Sequence, residues 1–261
     1  MADDAVDLAE DPELGLEQLT RRLNRIYAGN PDESPVDRAF SEVVAEHRIP
    51  YRLPAALLEG FEWDVTGRHY QTLSDTRAYG ARVAGTVGAM MAILMGVRDT
   101  EIVSRACDLG VAMQLTNIAR DVGEDAGIGR VYLPADLLHA NGVDVESWLN
   151  NPQFTPVIKA TVRTVLETAD ELYRRAEWGI CQLPVRVRQA MFAARSIYAE
   201  IGREIERRHY DSVSQRAIVS RRRKAQLLAA AMRSSIEGRP RDHAPPLKET
   251  SFLLDAVTAP A

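Results

Sequence analysis

Residues 106–134 read "ACDLGVAMQLTNIARDVGEDAGIGRVYLP", and this stretch carries most of the information about the fold and the site. Its polar side chains with oxygen donors recur every three or four residues: Gln114, Asn117, Asp121 and Asp125. On an α-helix this spacing places them in one stripe, with neighbouring Cβ atoms roughly 5–6 Å apart. Residues 106–118 are too apolar for a surface helix, so we expect the stripe to face a cavity inside a helical protein.

Such a stripe suits a hard cation together with a phosphorylated ligand. Mg²⁺ prefers carboxylate and amide oxygens and retains positions for water and substrate phosphates. Arg120 lies beside the stripe, and Arg130 and Tyr132 follow the glycine-containing turn "GEDAGIG", where they supply donors for phosphate oxygens. Asp3 and Asp7 repeat the one-turn acidic spacing at the start of the chain. Two facing acid pairs of this kind could hold a diphosphate through several metal ions.

Helical patterns extend over nearly the whole chain. Prolines and glycines separate the periodic segments, and no alternating run of β-branched residues competes with them. We predict helices at 13–28, 35–48, 53–69, 74–96, 99–125, 155–180, 185–210 and 219–236. Together these indicate an all-α fold, a single helical bundle formed by residues 1–237. Residues 238–261 lose periodicity and gain proline, so they are predicted to form a disordered tail.

The charge distribution excludes some functions. A net charge of −5 argues against nucleic-acid binding, because such proteins need excess cations. Residues 203–224 nevertheless concentrate arginines, either as a solvated helix face or as a site for a small polyanion. No signal peptide or spanning segment is evident, so a cytoplasmic location is expected. Cys107 and Cys181 form no paired motif for a disulfide or a zinc site.

The segment "GTVGAMMAILMG", residues 85–96, is apolar on nearly every face. Such a helix is buried in the middle of a bundle or lines an apolar cavity. Gly85, Gly88 and Ala89 leave room beside the backbone for a neighbouring helix or for a long hydrocarbon, and packing is the favoured interpretation.

Taken with "EGFEWDVTGRHYQTLSDTRAYGARVAGTVGAMM", "QLPVRVRQAMFAARSIYAEIGREI" and "VSRRRKAQLL", the stretch 106–134 resembles the squalene and phytoene synthases. These enzymes join two isoprenyl diphosphates head to head, and the sequence of these stretches is most similar to the bacterial phytoene synthases. The resemblance covers nearly all of residues 1–236. It implies an isoprenoid synthase fold, a helical bundle around a central apolar cavity, with two aspartate-rich motifs facing each other across the cavity mouth.

The resemblance also implies roles for individual residues. It assigns the metal ions, Mg²⁺ with Mn²⁺ as an alternative, to a first and a second motif: Asp3, Asp7, Asn117, Asp121 and Asp125. It assigns the diphosphates of the substrates to a further set: Asp4, Gln114, Arg120, Arg130, Tyr132 and Arg222. Tyr198 matches a tyrosine near the reacting carbons.

The implied reaction is the Mg²⁺-dependent condensation of two geranylgeranyl diphosphates to phytoene through a cyclopropyl intermediate. An alternative is a farnesyl-diphosphate-using enzyme that makes presqualene diphosphate, dehydrosqualene or squalene. Another is a non-catalytic scaffold relative, which the retained acids argue against. Family members carry a segment before the first motif that this chain is expected to lack. The apolar substrate and product suggest peripheral contact with the inner face of a membrane, while the oligomeric state is left open.

Overall fold

The architecture is helical throughout. The structure is a computed structural model that describes residues 11–259, and no β-strand occurs within that range. The helices in chain order are α1 (Pro12–Tyr27), α2 (Pro35–His47), α3 (Arg52–Val65), α4 (Leu73–Gly80), α5 (Thr86–Leu94), α6 (Thr100–Arg120), α7 (Val122–Gly127), α8 (Ala135–His139), α9 (Val145–Asn150), α10 (Pro156–Gln182), α11 (Val185–Arg207), α12 (Arg221–Ser234) and α13 (Ser251–Thr258). A π-helical turn, Ala81–Gly85, joins α4 to α5, and a 3₁₀ turn, Lys248–Thr250, precedes α13. The prediction of an all-α fold is confirmed.

Short polar side chains and prolines fix where several helices begin. Asp11 accepts hydrogen bonds from the backbone N–H groups of Glu13 and Leu14, and Thr72 forms a reciprocal capping box with Asp75 at the start of α4. Such caps satisfy N–H groups that have no partner inside the helix. Proline occupies the first position of α1, α2 and α10, where it lacks only an N–H that would be unpaired. These local signals explain why the predicted starts at 13, 35 and 155 lie within one residue of the observed ones.

Two breaks and two short helices differ from the prediction. The π-helical turn interrupts the helix predicted at 74–96, and Asp121 divides the one predicted at 99–125 into α6 and α7. The short helices α8 and α9 were not predicted, because five or six residues are too few to show a helical period.

Helix α6 is the central element of the bundle. It packs along α10, against α5 and the π-helical turn, and beside α11. Its buried side chains point in all directions, and they include Val103, Cys107, Val111, Ala112 and Leu115. One hydrophobic cluster joins α6 to α10 and α11, and a second joins α6 to α1–α3, α5 and α13. The apolar character of residues 106–118 is therefore explained by contacts on every side.

Glycines allow α5 and α6 to cross at very short range. A methyl group on Gly88 would lie 2.2 Å from the carbonyl oxygen of Ala106, and one on Gly110 would lie 2.2 Å from that of Ala84. Because backbone atoms cannot yield as a flexible side chain can, both positions require the absence of a side chain. The crossing fixes the apolar segment 85–96 against the central helix.

The C-terminal segment is packed on the bundle, so the predicted disordered tail at 238–261 is wrong for residues 238–259. Arg239 pairs with Glu177 at 2.9 Å and Asp242 pairs with Arg105 at 3.1 Å. Helix α13 then buries Leu253 and Ala256 in the second hydrophobic cluster. Loss of periodicity and a high proline content describe the extended part of this segment correctly. They do not reveal that its last apolar residues fit between α3, α5 and α6.

The described part of the chain contains no helix that is both long and apolar enough to cross a bilayer. Cys107 is buried and Cys181 is half-buried, and both are free thiols.

Glu200 joins α11 to α12 through a buried carboxylate with three arginine partners. Its side chain is only 1% exposed, and its oxygens lie 2.8 Å from Arg207, 2.9 Å from Arg223 and 3.4 Å from Arg203. Burial alone would raise the pKa of Glu200, but the hydrogen bonds from Arg223 and Arg207 outweigh it and lower the pKa to about 2. The ionised carboxylate therefore stabilises the folded chain.

Replacement of Glu200 by glutamine should lower the free energy of unfolding by about 2 kcal/mol at pH 7, after allowance for the half-exposed arginines. The folded pKa lies below the ordinary value of 4.5. The contribution of the ionised Glu200 to the free energy of unfolding is thus complete above pH 4.5 and is lost as the pH falls from 4.5 towards 2. Urea unfolding of the wild type and of E200Q at pH 7, 4 and 3 should show a difference that shrinks with falling pH.

The matched control is Glu204→Gln, one turn further along α11, whose carboxylate is more exposed and whose loss should cost less than about 1 kcal/mol. A stability difference for E200Q that stayed constant over the whole pH series would contradict the assigned role of its charge.

Candidate active site

A polar cavity of about 390 Å³ lies where α3, α4 and the π-helical turn meet the end of α6 and α7. The structure brings together around it seven side chains that the sequence singles out: Gln114, Asn117, Arg120, Asp121, Asp125, Arg130 and Tyr132. The remaining lining residues are Leu57, Phe61, Asp64, Tyr79, Val83 and Ile118. A larger groove of about 690 Å³ between α1 and α3 is lined by none of the predicted site residues. We therefore take the smaller cavity as the candidate active site.

The stripe of oxygen-bearing side chains continues across the break between α6 and α7. Asp121 leaves the helical conformation, yet its N–H donates to Asn117 at 2.9 Å, and the N–H of Asp125 donates to Asp121 at 2.8 Å. These bonds keep the four-residue spacing, so both carboxylates face the same cavity. Gly123 permits the arrangement, because a methyl group there would lie 2.2 Å from the carbonyl oxygen of Val213.

Asp121 is held by two guanidinium groups. The Nε of Arg120 donates to its carboxylate at 2.7 Å, and the Nε of Arg216 donates to it at 2.8 Å. Arg216 also lies 3.4 Å from Glu124 at the outer edge of the site. The cavity thus contains cations that could bind the phosphate oxygens of a ligand.

Asp125 lies in a different electrostatic setting. Its burial and the nearby charge of Asp121 raise the pKa of Asp125 to about 7, and Arg130 only partly opposes this effect. The side-chain oxygen of Asn117 is buried and accepts no hydrogen bond. A half-buried carboxylate and an amide oxygen without a donor fit a hard divalent cation.

The described residues would supply only part of such a cation's ligands. Within residues 11–259, no three His, Cys, Asp or Glu side chains converge closely enough to hold a metal ion by themselves. The remaining positions would belong to water, to ligand oxygens or to other acids of the chain. Asp3, Asp4 and Asp7, the predicted first motif, lie outside the described residues.

Aromatic side chains form one wall of the polar cavity. Asp64, from α3, accepts hydrogen bonds from Tyr79 at 2.8 Å and Tyr132 at 2.7 Å, and these two rings stack with centroids 4.9 Å apart. Burial, followed by the charge of Asp64, raises the pKa of both tyrosines, so their hydroxyls remain protonated donors. Asp64 follows the buried aromatic residues Phe61 and Trp63 in "EGFEWDV", and this neighbourhood was the available signal for an acid that was not predicted as a site residue.

An apolar chamber of about 410 Å³ adjoins the polar cavity. Val83, Gln114 and Asn117 line both spaces. The remaining lining residues are apolar apart from Tyr198: Ala84, Val87, Gly88, Met91, Ala92, Met95, Ala106, Leu109, Gly110, Met113, Leu183, Met191 and Ala194. Segment 85–96 therefore packs through its glycines on α6 and lines the chamber with its larger side chains.

One predicted site residue, Arg222, lies away from both cavities. Arg222 is exposed in the first turn of α12 and lines neither cavity, and its contact with a diphosphate stays a prediction. Arg216 instead reaches the site, where it binds Asp121. Both arginines belong to the cationic stretch 203–224, and spacing alone could not distinguish them because Arg216 lies in the loop before α12.

An all-α bundle in which a polar cavity and an apolar chamber share a wall is typical of the isoprenoid synthase fold. Residues 1–224 match the squalene/phytoene synthase family. The chain belongs to that family of prenyltransferases.

Individual relatives agree with this assignment. A phytoene synthase of Cereibacter sphaeroides is 48% identical over 98% of this chain and 77% of its own length. A phytoene synthase of Rhodobacter capsulatus is 47% identical over 98% of this chain and 78% of its own length. The crystal structure of a dehydrosqualene synthase in complex with ligand is 32% identical and superposes with a TM-score of 0.78 over 89% of this chain and 81% of that one.

Proposed function

We propose that this chain is a phytoene synthase, which condenses two molecules of geranylgeranyl diphosphate head to head. The observation that carries the proposal is the wall shared by the polar cavity and the apolar chamber at Val83, Gln114 and Asn117. This shared wall supports the proposal because a diphosphate in the polar cavity and a hydrocarbon tail in the chamber would meet at one point, where the reacting carbon would lie. Relatives that are 47–48% identical over nearly the whole chain carry the name phytoene synthase.

The metal-binding residues of this proposal are Asn117, Asp121 and Asp125 on one side, with Asp3 and Asp7 as the opposing pair. Mg²⁺, or Mn²⁺ in its place, would act when bound as a Lewis acid toward the diphosphate oxygens. The raised pKa of Asp125 and the unpaired oxygen of Asn117 support this assignment.

The arginines of the polar cavity would stabilise the leaving diphosphate. In the first half-reaction the C1–O bond of one substrate breaks, and its electron pair leaves with the diphosphate. Arg120, Arg130 and Arg216 can donate to the oxygens on which this charge develops. Arg120 and Arg216 now donate to Asp121, so with substrate bound their hydrogen bonds would be divided between Asp121 and the diphosphate. Gln114 and Tyr132 offer further donors at the same cavity, and Asp4 is the remaining predicted contact.

The apolar chamber would protect the allylic cation from water until a new carbon–carbon bond forms. The double bond of the second substrate attacks the cation, and proton loss gives a cyclopropylcarbinyl diphosphate. A second ionisation, a rearrangement and a further proton loss then give phytoene. Tyr198 lines this chamber, where its ring can face the cationic carbons.

A farnesyl-diphosphate-using enzyme is the second candidate, because a dehydrosqualene synthase structure is 32% identical to this chain. The two candidates differ in the length of hydrocarbon that the chamber accepts. Product analysis after incubation with geranylgeranyl or farnesyl diphosphate, each with Mg²⁺ or with EDTA, distinguishes them. Phytoene from the longer substrate with Mg²⁺ alone is expected. A C30 product formed in preference would favour the second candidate. The absence of both products would favour a scaffold role.

Chamber length can be tested at Met95, the lining residue of segment 85–96 that is furthest along the chain from Val83. The two residues are twelve positions apart, and a helix rises 1.5 Å per residue, so the lining runs for about 18 Å. Met95→Trp should shorten the chamber and lower kcat/KM for geranylgeranyl diphosphate about tenfold relative to farnesyl diphosphate. Val36→Trp, on the exposed face of α2, is the control and should leave this ratio unchanged. An unchanged ratio for M95W would exclude this end as the limit on chain length.

We place the enzyme in the cytoplasm, in peripheral contact with the inner face of a membrane. Its substrate carries a long hydrocarbon chain and its product has no polar group. Both would partition into a bilayer, which makes a nearby lipid surface the natural source and destination.

A further inference from the structure

Helix α12 is strongly cationic, although the chain as a whole has a net charge of −5. The helix contains no acidic residue and has five basic ones: Arg221, Arg222, Arg223, Lys224 and Arg233. Arg223 pairs with Glu200. Within the described residues, the other four take part in no ion pair, whereas Arg203, Arg207, Arg208 and Arg216 in the same part of the chain are all paired. Unneutralised positive charge is thus concentrated on one helix.

The same helix exposes large apolar side chains. Leu227 and Ala231 are buried against the bundle, while Leu228 is 49% exposed and Met232 is 56% exposed. Ile236, 87% exposed just beyond the helix, continues the four-residue spacing. Large apolar groups in a row, next to unpaired cations, are typical of helices that lie in the interface of a membrane.

This apolar row ends near the apolar chamber. The Sγ of Cys181 lies 3.6 Å from the backbone oxygen of Glu237, which places Ile236 beside the junction of α10 and α11. At that junction Val185 is 73% exposed, and Leu183 lines the apolar chamber. The exposed apolar surface and the chamber therefore meet at the same part of the bundle.

We propose that α12, together with Ile236 and Val185, is the surface by which this protein docks on a lipid bilayer containing anionic phospholipids. Lipid headgroups complement the four unpaired cations, and the acyl region accepts Leu228, Met232 and Ile236. The proposal rests on the proposed function for the reason why a bilayer is approached, since that function requires an apolar substrate and product. A soluble acidic protein would complement the charges but not the row of apolar side chains.

The test is sedimentation of the full chain with vesicles of phosphatidylcholine alone and of phosphatidylcholine with phosphatidylglycerol. Binding to the anionic vesicles, weakened by salt, is expected. Each cation near such a surface contributes roughly a factor of five, so Arg221→Ala combined with Lys224→Ala should weaken binding about 25-fold. Leu228→Ser combined with Met232→Ser should weaken it at least about tenfold. Matched controls are Lys159→Ala with Arg174→Ala, and Leu14→Ser with Val36→Ser, all at exposed positions outside α12.

No binding to any vesicle, or equal losses in the control variants, would overturn the proposal. Loss in the charge variant but not in the apolar variant would also overturn it, since α12 would then bind polyanions in general. Synthase activity is measured separately with detergent-dispersed geranylgeranyl diphosphate, where the α12 variants should retain wild-type turnover. An inactive wild type would count against the proposed function, and vesicle binding would still be read independently.

Discussion

Replacement of Asp125 by asparagine is expected to lower turnover of geranylgeranyl diphosphate by about 10³-fold. The amide keeps the size of the side chain but removes the negative charge that would hold a divalent cation against the diphosphate. Removal of a single preorganised electrostatic group from an active site typically costs 10²–10³-fold in rate. Turnover with Mg²⁺ and binding of a non-hydrolysable diphosphate analogue with and without Mg²⁺ are the measurements, and the variant should lose the metal dependence of binding.

Glu124→Gln is the matched control, because Glu124 is the adjacent acid but is exposed at the rim of the site. It should retain activity within a few-fold of wild type. Since burial and Asp121 raise the pKa of Asp125 to about 7, its ionised form is costly in the metal-free chain. D125N should therefore keep the wild-type Tm or exceed it, and an inactive variant with a lowered Tm would point to misfolding instead.

Replacement of Gly110 by alanine is expected to destabilise the fold by about 3 kcal/mol, the second large effect. The added methyl group would lie 2.2 Å from the carbonyl oxygen of Ala84 and 2.6 Å from its carbonyl carbon, so α6 and the π-helical turn that leads into α5 must move apart. For a chain of this size the loss corresponds to a fall in Tm of roughly 6–12 °C.

Gly127→Ala is the control for this change, since no atom lies within 4 Å of the added group at the end of α7. Its Tm should remain close to that of the wild type. Thermal unfolding followed by circular dichroism measures both variants. Equal values of Tm for G110A and G127A would show that the crossing tolerates a wider helix separation. Because Gly110 also lines the chamber, G110A should in addition reduce activity at temperatures where it remains folded.

The two experiments separate two properties of the central helix. Its last turns and α7 carry the acids, and its middle carries the glycine crossing and the chamber wall. A change in the first region should affect chemistry with little effect on stability. A change in the second should affect both, because the wall of the chamber is also the packing surface of α5.

The positions of most helices followed from local rules. Capping residues, N-terminal prolines and a period of 3.6 residues act over a few neighbours, so the starts of α1, α2 and α10 could be predicted within one residue. The π-helical turn could not, because its bonding is set by how α4 and α5 pack on α6. Helix α13 was also missed, since its apolar residues become helical and buried only against a surface made by distant segments.

The candidate site also combines features that the local sequence sets with features that only tertiary contacts set. The sequence by itself determined the stripe Gln114, Asn117, Asp121 and Asp125, because helical spacing alone aligns these side chains. It also indicated that the stripe faces inward, because the segment is too apolar for a surface.

Only the tertiary structure decided that Arg216, and not Arg222, reaches Asp121, and that Asp64 holds Tyr79 and Tyr132. These pairs are 95, 15 and 68 positions apart. The physical reason is that a helical period extends over one element, whereas contacts between elements depend on how close the backbones approach. Here that approach is set by the glycine crossing of α5 and α6 and by the loop that brings residues 208–220 back to the end of the central helix.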